Sequence, residues 1–416
     1  RVQALVGQLA QVVSGAAHGS GQGRHIGLGT ALGGLVDAVT HHGDQALASV
    51  LRGNIQGLEG GGAREVGWSF NGVSHQQALA TGEGSPFARA LAALRTLLAT
   101  VPGVPAIQAV AHRVVHGGAD FSSSVVVTAD VLARLTQLNS LAPLHQPHNL
   151  EGIRAFQLAF PDLPQIACFD TAFHTTLAEV DYAFALPQAL TDAGVRRYGF
   201  HGLSYQFIMD TLAERSPRAH GRVLMAHLGN GASLCAALDG KSCATTMGFS
   251  ALDGLVMGTR TGNLDPGVLL YLLEQGWDHE RLQTLLYRQS GLLGVSGISA
   301  DMRRLRADGS AAARKAIALF THRVVRESGA MTACLGGLDV LAFSGGIGEH
   351  DVALRAEVCA SLGYLGVHID PALNVQAVSD VAMAVHLPHS TVEVWVVPTD
   401  EGLVAAREAV RLTSND

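Results

Sequence analysis

The sequence predicts an α/β protein of two lobes, and three observations carry that expectation. The chain has 416 residues, two to three times the usual length of one domain. Short apolar runs alternate with helical stretches along most of it, the pattern of an α/β protein. Its 49 glycines are about 12% of the chain, against a usual share of ~7%. They are neither periodic nor in long tracts, so they mark tight turns and close backbone approaches of the kind found around phosphates.

Composition narrows the class further. With 48% apolar and 15% charged residues the chain is too apolar to be disordered. A net charge of −7 and a pI near 6.2 give no basis for binding nucleic acid or an anionic membrane. No apolar run approaches 18 residues and no secretory leader is visible, so a cytoplasmic protein is expected. Cys168, Cys235, Cys243, Cys334 and Cys359 are odd in number, scattered and without a C-x-x-C pair, which reads as reduced thiols. Lys241 and Lys315 are the only lysines; a clamp for phosphate or carboxylate must therefore be built from arginine.

Arg1–Ala16 has Val2, Leu5, Val6, Leu9 and Val13 near helical spacing and is expected as a modest amphipathic helix. His18–Gly34 is rich in glycine and serine and is expected as loop. The apolar face of Phe87, Leu91, Leu94 and Leu97–Leu98 predicts a helix over Ser85–Ala99. Ala106–Val115 and Gln165–Phe169 are expected strands, and Leu203–Ala213 a helix. Arg222–His227 and Ser233–Leu238 are two strands joined by a glycine turn. Leu338–Ser344 is a strand followed by a turn at Gly345–Gly348 and a helix over about Asp351–Leu362. Val392–Val397 is the last strand and Glu401–Leu412 the last helix. No solenoid repeat is present.

Three glycine turns have residues suited to anions. Leu228-Gly229-Asn230-Gly231-Ala232-Ser233, beside His227, fits either a plain hairpin turn or a phosphate contact. Ser344-Gly345-Gly346-Ile347-Gly348-Glu349 lies between a strand and a helix, where bare backbone and a helix N-terminus suit a nucleotide. It is neither a Walker loop nor G-x-G-x-x-G. Met257-Gly258-Thr259-Arg260-Thr261-Gly262 sets an arginine among small residues, where a surface ion pair and an anion ligand compete. Arg113 near the end of one strand needs a partner or ligand. Asp170 and Glu401 follow the carboxyl ends of strands, where open α/β sheets bind ligands and where helix caps also occur. His201 stands between glycines in Tyr198-Gly199-Phe200-His201-Gly202. No zinc spacing and no G-x-S-x-G elbow occurs.

Eight strings follow one another: H-R-V-V-H-G-G (His112–Gly118), L-A-P-L-H (Leu141–His145), F-D-T-A-F-H (Phe169–His174), R-R-Y-G-F-H-G (Arg196–Gly202), H-L-G-N-G-A-S (His227–Ser233), G-L-V-M-G-T-R-T-G (Gly254–Gly262), F-S-G-G-I-G-E (Phe343–Glu349) and P-T-D-E (Pro398–Glu401). In this order they resemble the acetate kinases, across roughly residues 45–416. The resemblance implies the two-lobed actin-like ATPase fold with a duplicated βββαβαβα core, the lobes enclosing an ATP cleft. The expected divisions are an atypical segment 1–40, a first lobe of 41–170 plus 402–416, and a nucleotide-binding second lobe of 171–401. A homodimer is implied, as is reversible transfer of the ATP γ-phosphate to acetate with Mg²⁺ or Mn²⁺, giving acetyl phosphate and ADP. A carboxylate is already a nucleophile, so the site needs no general base; it must align two anions and neutralise charge in flight.

By the same resemblance Arg113 and Arg260 bind the substrate carboxylate and the moving phosphoryl group. His201 hydrogen-bonds the phosphoryl oxygens, with His145 and Asn230 nearby. Glu401 positions the metal, with Asp170 close to it. Val115, Leu144, Phe200 and Ala251 line the pocket for the acyl group. His227, Leu228, Gly229, Asn230 and Gly231 face the ATP phosphates, and Asp301, Met302, Arg303, Gly346, Ile347 and Gly348 hold the adenosine.

The chain departs from the family in three places. The opening strand and loop of the type N-x-G-S-S-S-x-K are missing or replaced: His18–Gly23 shares only glycine and serine with that loop. A frameshift, mis-called start or rearrangement is the expected cause, and a catalytically impaired nucleotide-binding remnant is the alternative of a different class. The family's H-G-T-S-H is His201-Gly202-Leu203-Ser204-Tyr205, which loses the second histidine. The usual T-P-L-E-G is Ser250-Ala251-Leu252-Asp253-Gly254; alanine there leaves room for a further methylene, which makes propionate kinase the alternative within the enzyme class.

Overall fold

In the computed structural model the described residues are 8–13, 28–30, 34–40, 48–56, 65–70, 73–78, 91–93, 95–96, 100, 107–142, 145–377 and 381–414. They divide into two compact units, one of Arg1–Ala172 with Asp400–Asp416 and one of Phe173–Thr399. The helix Glu401–Thr413 therefore groups with the first unit.

The first unit is built on a nine-stranded mixed sheet. Its strands are β1 (Gln8–Val13), β2 (Leu28–Thr30), β3 (Gly34–Thr40), β4 (Ala48–Gln56), β5 (Glu65–Phe70), β6 (Val73–Ala78), β7 (Ala109–Val114), β8 (Val125–Val126) and β9 (Gln165–Phe169). The order is β6-β5-β4-β3-β1-β7-β9-β8, with β2 on β1. β7 and β9 run parallel, Arg113 opposite Cys168 and Val114 opposite Phe169. One face of this pair packs on the helices Ala129–Gln137 and Gln146–Ala159 through Val114, Leu135, Leu150, Ile153 and Phe169. Glu401–Thr413 packs on β7 and β9, burying Val404, Ala405, Ala406 and Ala409.

One expectation is corrected here. The helix expected over Arg1–Ala16 gives way to strand at Gln8–Val13, antiparallel to β7 with Ala10 opposite His112, its remainder lying outside the described residues. A helical spacing this short is a weak determinant beside pairing into a sheet, and Val12-Val13 favours the extended backbone. Gln8–Val13 thus pairs with β7, although no N-x-G-S-S-S-x-K string occurs in the sequence. The loop expected over His18–Gly34 gives way to strand at Leu28–Thr30 and from Gly34; residues 18–27 lie outside the described residues. The helix expected over Ser85–Ala99 is helical at 91–93 and 95–96, its remainder lying outside them.

The second unit has a six-stranded sheet: β10 (Arg222–Leu228), β11 (Ala232–Leu238), β12 (Lys241–Thr245), β13 (Val340–Ser344), β14 (Met383–Ala384) and β15 (Glu393–Val396), in the order β12-β11-β10-β13-β15-β14. β10–β12 form an antiparallel meander, and β10, β13 and β15 run parallel. The helix Ala311–Leu335 follows the meander and packs on β11. It starts at Ser310, whose hydroxyl accepts from the Ala313 amide, and stops at Gly336, whose φ of 67° only glycine adopts readily. Together with the helices after β13, this is the βββαβαβ order of the actin-like ATPase fold. On one side the core gathers Tyr205, Ile208 and Leu212 from the helix Gly202–Ala213 against Val223, Met225, Val340 and Ala342.

The Gly345–Gly348 string is also corrected. It is not a loop but the start of a helix, Gly345–His350, which opens directly from β13 and is followed by Val352–Ser361. Glu349 closes it, its Oε1 accepting from the Gly345 amide at 2.8 Å and the Thr399 amide at 3.2 Å.

Candidate active site

In the first unit, parallel pairing sets Arg113 beside the end of β9, and the ladder continues one step further with the Asp170 amide on the Val114 carbonyl at 3.0 Å. Asp170 is thereby placed to take Arg113 in two parallel bonds, Nε–Oδ1 at 2.8 Å and Nη2–Oδ2 at 2.7 Å. Glu401, the first residue of the last helix, takes Nη1 through Oε2 at 2.7 Å. Burial alone would lower the guanidinium pKa, but the two carboxylates outweigh it and hold the pKa raised. These bonds use three of the five N–H donors of Arg113, leaving one on each terminal nitrogen for an incoming anion. Asp170 and Glu401 are carboxylates, hard oxygen donors. That donor set fits a hydrated divalent cation, which takes one or two carboxylates and completes its shell with water and substrate phosphate. Among the described residues no group of three His, Cys, Asp or Glu is placed to enclose a metal. Val115 is half-buried in this unit, its amide bonded to Asn149 Oδ1 at 2.9 Å; Leu144 lies outside the described residues.

In the second unit, His201, Arg260 and Gly231 come together. A methyl group on Gly231 would lie 3.1 Å from Arg260 Nη2 and 3.2 Å from His201 Nε2, so the bare glycine is what lets both nitrogens approach this backbone. Arg260 is steadied by Nη1 donating to the Ala251 carbonyl at 2.8 Å. Asn230 is fixed by Gly258, where a Cβ would overlap its Oδ1, and the Gly258 amide donates to the Asn230 carbonyl at 3.0 Å. The β10–β11 link is three residues, with Leu228 opposite Ala232, rather than a two-residue Asn-Gly turn.

His201 has φ of 61°, a strained value for a residue with a side chain, and stands at the N-cap of the helix Gly202–Ala213. Its ring stacks on that of His227, centroids 4.2 Å apart. Its Nδ1 lies 2.8 Å from Ser233 Oγ, and Ser233 Oγ lies 2.5 Å from the Tyr205 hydroxyl. Ser204 Oγ and His227 Nδ1 are 2.8 Å apart. The preceding residue, Phe200, is buried, and its carbonyl accepts from His174 Nε2 at 2.9 Å. None of Ser204, Tyr205, Ser233 and His174 was singled out as a site residue from sequence; the i, i+4 spacing of His201 and Tyr205 was the available signal.

A cavity of about 990 Å³ in the second unit gathers Gly229, Asn230, Asp301, Met302, Arg303, Gly346 and Ile347. That volume suits a nucleoside. Of the remaining expected nucleotide residues, Leu228 and Gly348 are buried behind its wall, His227 faces His201, and Gly231 faces Arg260. Arg306, His350 and Asp351 also line the cavity and were missed, since a helical turn beyond a motif leaves no mark in its spacing. Asp301 caps its own helix, accepting from the Arg303 amide at 2.8 Å, and the Arg303 guanidinium holds its carboxyl down at about 2. Behind the wall the buried Arg355 donates to the carbonyls of Gly348, Glu349, Asn374 and Ala377 and to Asn374 Oδ1.

The sequence profile of the acetokinase family matches residues 62–407. The chain belongs to the acetokinase family. An acetate kinase of Rhodopseudomonas palustris is 53% identical over 333 residues, 79% of this chain and 83% of the relative. Among acetokinases of known structure, the acetate kinase of Porphyromonas gingivalis is 34% identical with a TM-score of 0.80, the match covering 91% of this chain and 96% of that one. A propionate kinase from Francisella tularensis is 35% identical with a TM-score of 0.81, covering 90% and 96%.

Proposed function

We propose that this chain is an acetate kinase, transferring the ATP γ-phosphate reversibly and in line to the carboxylate of acetate. The observation that carries the reading is the 53% identity to an acetate kinase over 333 residues. The arrangement of side chains suits the chemistry. Arginine forks match carboxylate and phosphate oxygens, and Arg113 and Arg260 are assigned the substrate carboxylate and the phosphoryl group. His201, through Nε2, is assigned a hydrogen bond to that group in the transition state, where such donors stabilise charge most. The cavity at Asn230, Met302 and Ile347 is assigned the adenosine of ATP or ADP. Glu401, with Asp170, is assigned Mg²⁺; the ion supplies charge neutralisation for the phosphates when bound.

Val115, Leu144, Phe200 and Ala251 are assigned the acyl group. Ala251 and the likeness to a propionate kinase favour propionate as a second acceptor. Among the described residues no helix is long and apolar enough to cross a membrane, and a cytoplasmic location follows the reading. The helix Pro266–Glu274 leaves Leu270 63%, Tyr271 59% and Leu273 49% exposed, which supports a homodimer; sedimentation at a twofold mass is the expected result. The test of the activity is an acyl hydroxamate assay on the purified chain with ATP, Mg²⁺ and hydroxylamine. Product that depends on acetate or propionate supports the reading, and ADP binding without product supports the impaired remnant.

A further inference from the structure

We propose that Tyr205 and Ser233 are positioning residues that fix His201 as the tautomer carrying its proton on Nε2, the nitrogen beside Gly231 and Arg260. The inference rests on the kinase reading for the use made of that proton, but the tautomer itself follows from the hydrogen-bond order.

Tyr205 and Ser233 are fully buried, so neither bonds to solvent. Ser233 Oγ has one proton and two neighbours, Tyr205 Oη at 2.5 Å and His201 Nδ1 at 2.8 Å. Burial pushes the Tyr205 pKa well above the ordinary value of 10, and Ser233 Oγ is the hydrogen-bond partner within reach of its hydroxyl. Tyr205 thus keeps its proton and donates it to Ser233, since the reverse order would leave a buried hydroxyl proton without an acceptor. The Ser233 proton then goes to His201 Nδ1, and a neutral imidazole that accepts at Nδ1 carries hydrogen at Nε2. The reverse order would present a lone pair to a phosphoryl oxygen. The relay is short because Tyr205 lies one helical turn after His201, and Ser233 lies opposite His227 in the β10–β11 ladder. His227 on β10, Arg260 on its loop and Tyr205 on its own helix face His201.

Tyr205→Phe frees the Ser233 proton. The ring then samples both tautomers, and kcat at pH 8 falls about fivefold, the scale of one buried hydrogen bond. KM for ATP and for acetate is expected to stay within twofold. Ser233→Ala should show the same loss, and Ser233→Thr, which keeps the hydroxyl, should restore kcat. If Tyr205→Phe does not fold, the serine pair carries the test. An undiminished kcat in Tyr205→Phe and Ser233→Ala, or a loss in Ser233→Thr equal to that in Ser233→Ala, overturns the inference. Imidazole ¹⁵N shifts, with the His201 signal identified by its absence in His201→Gln, read the tautomer without turnover. A pure Nε2–H form in an inactive chain would sink the kinase reading and leave this inference standing; a mixed or Nδ1–H form would overturn the inference even in an active kinase.

Discussion

Asp170 holds the guanidinium of Arg113 edge to edge, with two parallel bonds of 2.8 and 2.7 Å. Such a fork fixes the plane of the arginine as well as its position, which a lysine ammonium cannot reproduce. Arg113→Lys should therefore lower kcat/KM for the carboxylate by at least about a hundredfold, a loss of about 2.7 kcal/mol in transition-state stabilisation. Asp170→Asn should raise KM for the carboxylate by letting the arginine plane turn. Steady-state kinetics with saturating ATP checks both; wild-type kcat/KM in Arg113→Lys would show that the fork is dispensable.

Gly231→Ala tests the close approach in the second unit. Its methyl group would sit 3.1 Å from Arg260 Nη2 and 3.2 Å from His201 Nε2, displacing both by a few tenths of an ångström. The expected outcome is a kcat reduced at least about tenfold with a melting temperature little changed, read by kinetics and circular dichroism on the same sample.

Acid sensitivity follows from three buried histidines. Burial lowers His112, His116 and His174 to about 4. Their unfolded value is about 6.5, so between these values the unfolded chain binds more protons than the folded one and stability rises with pH. Their contribution is complete above pH 6.5 and is lost as pH falls toward 4, by on the order of 3 kcal/mol for each histidine. Urea midpoints measured from pH 7 to 5 should fall steadily, and His112→Gln should flatten the slope. His174 also holds the carbonyl preceding His201, so activity is expected to fall with stability.

Arg355 is a buried cation held by five oxygens and no carboxylate. Arg355→Met leaves those oxygens without donors, at about 1–3 kcal/mol for each group that stays unsatisfied. An overall loss of about 3–5 kcal/mol is expected in urea unfolding. In whatever fraction remains folded, KM for ATP should rise, because Gly348 and Glu349 belong to the helix that walls the nucleotide cavity.

Ala251→Pro should shift acceptor choice toward acetate. A methylene accommodated beside alanine contributes on the order of 0.8 kcal/mol, so the ratio of kcat/KM for propionate to that for acetate should fall about fourfold. In the unaltered chain, propionate a hundredfold below acetate would count against room at this position.

The parts of this protein that could be read from its sequence are those in which one short string carries the whole geometry. β7 with Arg113, β9 with Asp170, the β10–β11 turn at Asn230 and the helix from Glu401 are each local, and strand ends with glycine turns announce them. What stayed hidden depends on contacts between strings. Nothing local to Gln8–Val13 specifies that it pairs with β7, so its weak helical spacing misleads. Nothing in the spacing places Arg306 beside Asp351, or Arg355 under the nucleotide cavity. Tyr205 was visible only as the loss of a histidine; its place in the relay needs Ser233, brought across by a different strand.

The central claim is the transfer itself, and ³¹P NMR of the purified chain with ATP, Mg²⁺ and acetate reads it directly. The account predicts an acetyl phosphate resonance growing in step with ADP, abolished in Arg260→Ala and absent without acetate. ADP accompanied only by inorganic phosphate, or unchanged ATP in a folded chain that binds the nucleotide, would contradict it.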